Sequence, residues 1–168
     1  MIRRSLILLI LAGCLTACVG TAGCSRIGYS NEVACADIGT EIRKTIENGR
    51  ELGSFSEAQL REELEIDGEY DDFYSAYSAD VNDLDEVHVL HARTASEAKE
   101  LADECRAYID EKREDTRAFV SSYAPDQVPK LDSAEVRRFG NYVVCVILDR
   151  ESADAVFEGV KEKLKVEG

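Results

Sequence analysis

The sequence predicts an α+β fold in which helices pack against a four-stranded antiparallel sheet, in the order α-α-β-β-α-β-β-α. Three observations support this prediction. Residues 71–92 and 134–148 each contain two strand-like runs separated by polar or turn-forming residues. A segment of helical periodicity follows each of these regions, so a hairpin followed by a helix occurs twice. Two further helical segments precede the first hairpin.

The two N-terminal helices are predicted from capping residues and apolar spacing. Asn31 can cap the first helix by accepting hydrogen bonds from free backbone N–H groups, and Gly49 can end it. In the second, shorter helix, Ser56 is the candidate cap, and Leu60 and Leu64 lie one turn apart. The apolar face of the first helix comprises Val33, Ile38, Ile42 and Ile46.

The first hairpin is predicted from a change of period. Residues 71–78, DDFYSAYS, alternate aromatic and small side chains, and residues 86–92, EVHVLHA, alternate again after a polar loop. His88 and His91 are three positions apart, so a strand places them on opposite faces.

The longest helix begins at Thr94, which forms a T-x-x-E capping box with Glu97, and it ends before Pro125. Its side chains separate into a charged face and an apolar stripe, which predicts that one side packs on the sheet. The predicted stripe contains Ala95, Ala98, Ala102, Cys105 and Ile109, extended by Phe119 and Val120.

The second hairpin turns at Gly140-Asn141, which fits a type II′ turn with Gly at the first central position. Residues 142–148, YVVCVIL, are continuously apolar, which predicts a central strand covered on both faces. We therefore expect the N-terminal helices to cover the second face. The last helix should bury Ala153, Val156, Phe157, Val160 and Leu164.

The first 17 residues have the pattern of an export signal. A basic start, MIRR, precedes an apolar run from Ser5 to Ala17. That run is shorter than the ~20 residues that a bilayer-spanning helix needs, and it matches a signal-peptide h-region.

A cysteine cluster follows the apolar run. LTAC, ending at Cys18, and LAGC, ending at Cys14, both resemble the bacterial lipobox, in which the Cys thiol is diacylated. Cys18 ranks first because cleavage there leaves an apolar run of ordinary length; Cys14 ranks second, and Cys24 third. We therefore expect a lipoprotein signal peptide at 1–17, a lipidated Cys18 with a flexible tether at 18–31, and one α+β domain at 32–168.

Composition excludes one broad class of function. The 168-residue chain carries 34 acidic and 20 basic residues, a formal net charge of −14. Nucleic-acid phosphates repel such a chain, so we expect no nucleic-acid partner.

Three segments carry a resemblance to a known family. LDEVHVLHA, SYAPDQ and GNYVVCVI resemble, in order and spacing, a family of small bacterial envelope lipoproteins common in clostridia, domain of unknown function 4358. The resemblance covers roughly residues 34–164, and its most specific parts are Glu86, Tyr123 with Pro125, and Gly140-Asn141-Tyr142. It implies a lipid-anchored, exported α+β domain, and it brings no known activity or catalytic residues.

Candidate chemistry is sparse. His88 and His91 point to opposite faces and so should not share a metal, and residues 80–86, DVNDLDE, fail the EF-hand template. Cys105 and Cys145 are expected in the core, and whether they pair stays open. There is no C-x-x-C and no phosphate-binding glycine loop, so we expect no cofactor and no metal.

The turn RRFGNY, residues 137–142, allows two interpretations. Arg137, Phe139 and Tyr142 could form a contact patch for a partner. Alternatively, Phe139 and Tyr142 form a cross-strand aromatic pair beside the turn, which is the favoured interpretation.

These observations predict a lipoprotein at the cell membrane, held on the extracytoplasmic face by a diacylglyceryl anchor. The predicted role is a non-catalytic binding or accessory module of the cell envelope, whose partner is an envelope protein or a cell-wall component. A binding module of this kind is expected to have an aromatic-rich groove or patch near the hairpin ends. The alternative is a cell-envelope hydrolase, which predicts His88 or His91 beside a carboxylate or thiol in a concave pocket.

Overall fold

The computed structural model of the protein describes residues 28–46 and 51–166. The leader with Cys14, Cys18 and Cys24 lies outside these residues, and so does the helix end predicted at Gly49. Within the described part, helices and antiparallel strands are mixed along the chain, as the α+β prediction expects. No helix there combines the length and apolarity needed to cross a bilayer.

The helices follow the predicted segments, with one addition. They are α1 (Cys35–Ile46), α2 (Glu57–Glu63), α3 (Ala95–Tyr123), α4 (Val128–Ser133) and α5 (Arg150–Leu164). A 3-10 turn at Pro125–Gln127 joins α3 to α4. The sequence does not predict α4, because six residues show no period and Pro129 lies among them. Pro129 is tolerated because the first turn of a helix needs no N–H there.

The strands are β1 (Gly28–Tyr29), β2 (Leu52–Gly53), β3 (Asp72–Ser78), β4 (Glu86–His91), β5 (Glu135–Phe139), β6 (Tyr142–Ile147) and β7 (Lys165–Val166). The main sheet has five strands in the order β2-β3-β4-β6-β5, and all neighbours are antiparallel. The predicted four strands are β3 to β6, so the prediction of four strands is wrong by one. The extra strand, β2, has only two residues and therefore shows no alternation.

The two chain ends of the described part pair with each other. β1 and β7 form a separate two-stranded antiparallel sheet, with Gly28 opposite Val166. Gly28 and Tyr29 thus belong to the fold, although the sequence assigns them to the tether. Two residues are too few to show a period against the glycine-rich segment before them.

The central strand β6 is covered on both faces, as predicted. Its alternate residues Val143, Cys145 and Ile147 pack in a core with α3, and Tyr142, Val144 and Val146 pack in a core with α1 and α5. The N-terminal helices divide between these cores. α1 covers the second face as expected, but Leu60 of α2 packs on the α3 side.

Several local signals are confirmed. Ser56 caps α2 in a box with Gln59, and Thr94 caps α3 with Glu97. Gly140 has a φ of +62°, the left-handed value that the first central residue of a type II′ turn requires. The cap predicted at Asn31 is wrong. The Cys35 N–H instead donates to Asp72 Oδ2 at 2.7 Å, so a strand carboxylate satisfies the start of α1.

Helix α3 is longer than the sheet it covers. Its 29 residues span about 44 Å at 1.5 Å per residue, whereas the six residues of β4 span only about 20 Å. The predicted apolar stripe is therefore wrong at Ala95 and at Phe119. Ala95 is exposed and Phe119 is 63% exposed, whereas Val120 is buried in the core between α3 and the sheet.

The sheet has two distinguishable ends. The β5–β6 turn lies at one end, where the Phe139 ring contacts the ring of Tyr29 in β1 at a centroid distance of 5.6 Å. Loop 79–85, which joins β3 to β4, lies at the other end, because Glu86 pairs with Ile147 at the far end of β6. The chain therefore enters the fold at the end opposite loop 79–85.

Candidate partner-binding surface

Three large apolar side chains are exposed together where α3 passes the end of the sheet. Val81 in loop 79–85 is 95% exposed, and Phe119 and Tyr123 on the last turns of α3 are 63% and 77% exposed. The two aromatic rings contact each other with centroids 4.8 Å apart. We call Val81, Phe119 and Tyr123 the apolar patch. Clustered exposed apolar residues mark interaction sites more often than scattered ones do.

A small concave site lies within the apolar patch. It has a volume of about 180 Å³, and Leu84 and Val120 line it together with the three patch residues. An apolar cavity of about 150 Å³ is large enough to bind benzene. The site can therefore accept one apolar side chain of a partner.

Loop 79–85 is fixed from below by an ion cluster. Lys130 of α4, whose side chain is 10% exposed, contacts Asp83 and lies 2.5 Å from Asp85 Oδ1. The Leu84 N–H donates to Gln127 Oε1 at 3.2 Å. α4 and the 3-10 turn therefore hold residues 83–85 of this loop, next to Val81.

The rim of the apolar patch is acidic. A second cleft of about 340 Å³ shares Tyr123 with the apolar site. Its charged lining residues are Asp80, Asp83 and Asp126 together with Lys130, so the three carboxylates outnumber the one ammonium group. Asp80 and Asp126 are exposed. The local potential is therefore negative beside an apolar surface.

Of the turn patch predicted at Arg137, Phe139 and Tyr142, the two aromatic residues are buried and Arg137 is partly exposed. Phe139 and Tyr142 are 6% and 0% exposed, and they oppose each other in the β5–β6 register. The Arg137 guanidinium lies 4.1 Å over the ring of Phe157. Phe139 and Tyr142 are thus cross-strand neighbours, but their rings contact other residues: Phe139 contacts Tyr29, and Tyr142 contacts His91.

A second group of residues forms a buried polar cluster between the sheet and α3. We use this name for Ser75, Glu86, His88, Tyr108 and Lys112. Tyr108 donates to Glu86 Oε2 at 2.5 Å, and Lys112 contacts Glu86 Oε1 and donates to the Tyr108 hydroxyl at 2.6 Å. His88 Nδ1 lies 3.1 Å from Ser75 Oγ.

Electrostatics fix the charge states of this cluster. Burial on its own raises the pKa of Glu86, but the neighbouring His88 and Lys112 outweigh it and lower the pKa to about 2. Burial, followed by the charge of Glu86, raises the pKa of Tyr108 above its usual range. Glu86 is thus a carboxylate, and Tyr108 remains a neutral donor to it.

The order Ser75, His88, Glu86 superficially resembles a nucleophile–base–acid triad. The hydrolase alternative requires that a substrate reach this group. However, His88 is 1% exposed and Ser75 is 3% exposed. The adjoining cleft of about 240 Å³ is lined by Tyr108 and Lys112, and its lining does not include Ser75 or His88. In this conformation the cluster therefore joins α3 to the sheet, and Ser75 and His88, the nucleophile and base of such a triad, are buried.

The two histidines lie on opposite faces of β4, as predicted. His88 faces α3, whereas the His91 ring contacts Tyr142 on the other face. His91 Nδ1 lies 2.6 Å from Asp71 Oδ1. Within residues 28–46 and 51–166, no three His, Cys, Asp or Glu side chains are arranged to hold a metal ion. In the acidic loop, the Lys130 ammonium group balances Asp83 and Asp85.

The cysteines of the described residues are core residues. Cys35, Cys105 and Cys145 are buried free thiols. A hydrogen bond with Cys105, together with burial, raises the pKa of Cys145 well above its usual value. The thiolate that nucleophilic chemistry requires is therefore disfavoured at Cys145.

Sequence reasoning did not assemble the apolar patch from its three residues, and it singled out only Glu86 and His88 of the five residues in the buried polar cluster. One available signal was that Glu86 and His88 share one face of β4, a strand whose other residues, apart from His91, are apolar. Another was the i, i+4 spacing of Tyr108 with Lys112 and of Phe119 with Tyr123 on one helix.

Comparisons with known proteins give one match. The family model of a domain of unknown function, DUF4358, matches residues 44–148, which include the apolar patch and the buried polar cluster. No curated protein and no solved structure matches the chain. Because the match covers more than half of the sequence, the chain belongs to the DUF4358 family.

Proposed function

We propose that the protein is a membrane-anchored lipoprotein of the extracytoplasmic face that acts as a non-catalytic binding module of the cell envelope. The observation that carries the proposal is the apolar patch, which surrounds a site for one side chain at the end of the β3–β4 hairpin. We propose further that its partner is another envelope protein, which inserts an apolar side chain there.

The anchor rests on the leader. A basic start, a short apolar run and a lipobox-like LTAC segment support export and acylation at Cys18. The resemblance to small clostridial envelope lipoproteins points in the same direction. Two acyl chains on one cysteine provide the two signals that stable membrane attachment requires.

The geometry suits an anchored binding module. The chain enters the fold through Tyr29, which contacts Phe139 near the β5–β6 turn. The apolar patch lies at the opposite end of the sheet, beside loop 79–85. Gly28, where the described residues begin, therefore lies at the end of the sheet opposite the apolar patch, which suits a module that is held at one end and binds at the other.

The proposal is tested by site-specific photo-crosslinking of the full-length protein in its own cell. A crosslinker at position 119 should give a discrete product with another envelope protein. The same crosslinker at Ala155, exposed on α5, is the matched control and should not give that product. The product should also disappear with Val81→Asp. Equal products at both positions, or none at 119, would remove the proposed surface.

The anchor is tested separately by metabolic labelling with a fatty acid. Cys18→Ala should abolish the label and release the protein from the membrane fraction. Cys14→Ala and Cys24→Ala are the controls and should keep the label. Persistent labelling of Cys18→Ala would show that another cysteine carries the acyl chains.

A further inference from the structure

We propose that the partner segment carries a lysine or arginine next to the apolar side chain that enters the apolar patch. This inference rests on the proposed function and specifies the chemistry of the partner. It starts from two neighbouring clefts that share Tyr123 as a wall. One is apolar, and the other is lined by three aspartates and by Lys130, which already pairs with Asp83. A ligand that fills both needs an apolar group and a cationic group within a few residues.

The carboxylates of this rim differ in their partners. Asp83 and Asp85 share Lys130 as their cation beneath the loop. Asp80 accepts from the Asn82 backbone and side-chain amides, and Asp126 accepts from the Gln127 amide. Within the described residues, neither Asp80 nor Asp126 forms an ion pair with Lys or Arg. A cation of the partner is therefore attracted by two exposed negative charges.

Charge argues against two other occupants. A two-fold contact between copies would bring the acidic rims of two chains together, each chain having a net charge of −14. A membrane surface rich in anionic lipid would repel the same rim. The apolar patch also lies at the sheet end away from Tyr29, where the tether enters. Neither objection applies to a basic protein segment, because its charge is opposite to that of the rim.

The expected contribution of the rim is selectivity rather than most of the affinity. Exposed ion pairs stabilise a complex weakly, and they mainly accelerate association and exclude acidic partners. We expect the double substitution Asp80→Asn, Asp126→Asn to weaken binding about three- to tenfold at low salt. The loss should shrink as salt screens the charges.

The test uses a randomised peptide library selected on the full-length protein in nanodiscs. Selected peptides should contain an apolar residue within two positions of Lys or Arg, and they should not be selected by Val81→Asp. On the Asp80→Asn, Asp126→Asn protein, the apolar preference should persist and the basic preference should disappear.

The two proposals fail in different ways. Selection of apolar peptides without a basic preference, or with an acidic one, would overturn this inference and leave the proposed surface in place. Equal selection by wild type and Val81→Asp would remove the surface itself. Two further outcomes would overturn the inference: dimerisation of the full-length protein that Phe119→Ser abolishes, or slower maleimide labelling of Val81→Cys in nanodiscs than in detergent, which would indicate burial in the membrane.

Discussion

The middle and the C-terminal end of α3 have opposite surroundings. Near its middle, Tyr108 and Lys112 point into the buried polar cluster and contact Glu86 of the sheet. Near its end, Phe119 and Tyr123 stand in solvent beside Val81. One helix thus buries polar groups at its middle and exposes apolar groups at its end. The exposure arises because loop 79–85, rather than the sheet, lies beside the last turns of the helix.

The difference separates a structural feature from a functional one. Burying charge is costly unless each group is paired, and in the cluster Glu86 receives hydrogen bonds from both Tyr108 and Lys112. The cluster thus belongs to the scaffold. The apolar patch contributes little to folding, since most of its surface remains in water. A surface with little benefit to stability is the better candidate for binding.

The largest expected effect comes from breaking the cluster. Glu86→Ala removes the acceptor of Tyr108 and leaves Lys112, whose side chain is 16% exposed, without its closest counter-ion. Because an unpaired, largely buried charge is costly, we expect a loss of about 3 to 4 kcal/mol in the free energy of unfolding. Urea denaturation measures this. A loss below about 1 kcal/mol would show that the cluster does not join α3 to the sheet.

Acid should weaken the same cluster. The pKa of Glu86 is about 2 in the folded protein and 4.5 in the reference state, so its ionisation favours folding above about pH 4.5. That stabilisation, on the order of 3 kcal/mol, is lost as the pH falls from 4.5 to 2. Denaturation of wild type and Glu86→Gln at several pH values measures it. The difference between the two proteins should shrink across this window, and a constant difference would contradict the assignment.

A smaller effect is expected from the ion cluster beneath the apolar patch. Lys130→Met leaves Asp85, which is 2% exposed, without its nearby cation, and we expect a loss of about 2 kcal/mol. Backbone hydrogen exchange in loop 79–85 should also accelerate, because the loop loses the ion pairs that hold it next to the apolar patch. Lys99→Met is the matched control: it breaks an exposed pair with Asp103, and it should cost less than about 0.5 kcal/mol. Equal effects of the two substitutions would show that Lys130 does not fix the loop.

Local signals made much of the fold predictable. The four principal strands, the Thr94–Glu97 box and the Gly140-Asn141 turn each depend on neighbouring residues. Strands β1, β2 and β7 have two residues each, so their position depends on contacts distant in sequence. The cap of α1 likewise comes from Asp72, 37 positions further along the chain.

The candidate site was less predictable for a related reason. Helical periodicity shows which residues share a face, but it does not show where the sheet beneath that face ends. The sequence therefore assigns Phe119 to the core stripe, although it lies beyond the sheet. Likewise, nothing local indicates that Lys130 meets Asp83 across 47 positions. The sequence predicts an aromatic-rich patch near the hairpin ends, and the apolar patch lies at the end of the β3–β4 hairpin.

The smallest effect on stability should come from the apolar patch itself. Phe119→Ser removes a ring that is 63% exposed, so we expect the free energy of unfolding to change by less than about 0.5 kcal/mol. The neighbouring Val120→Ser is the matched control: Val120 is 3% exposed, and the change should cost about 2 kcal/mol because it buries a hydroxyl and leaves a cavity. With the crosslinker moved to position 123, Phe119→Ser should nevertheless lose the crosslinked product. If Phe119→Ser destabilised the protein as much as Val120→Ser, the Phe119 ring would be part of the core. The contrast between the middle and the C-terminal end of α3 would then fail.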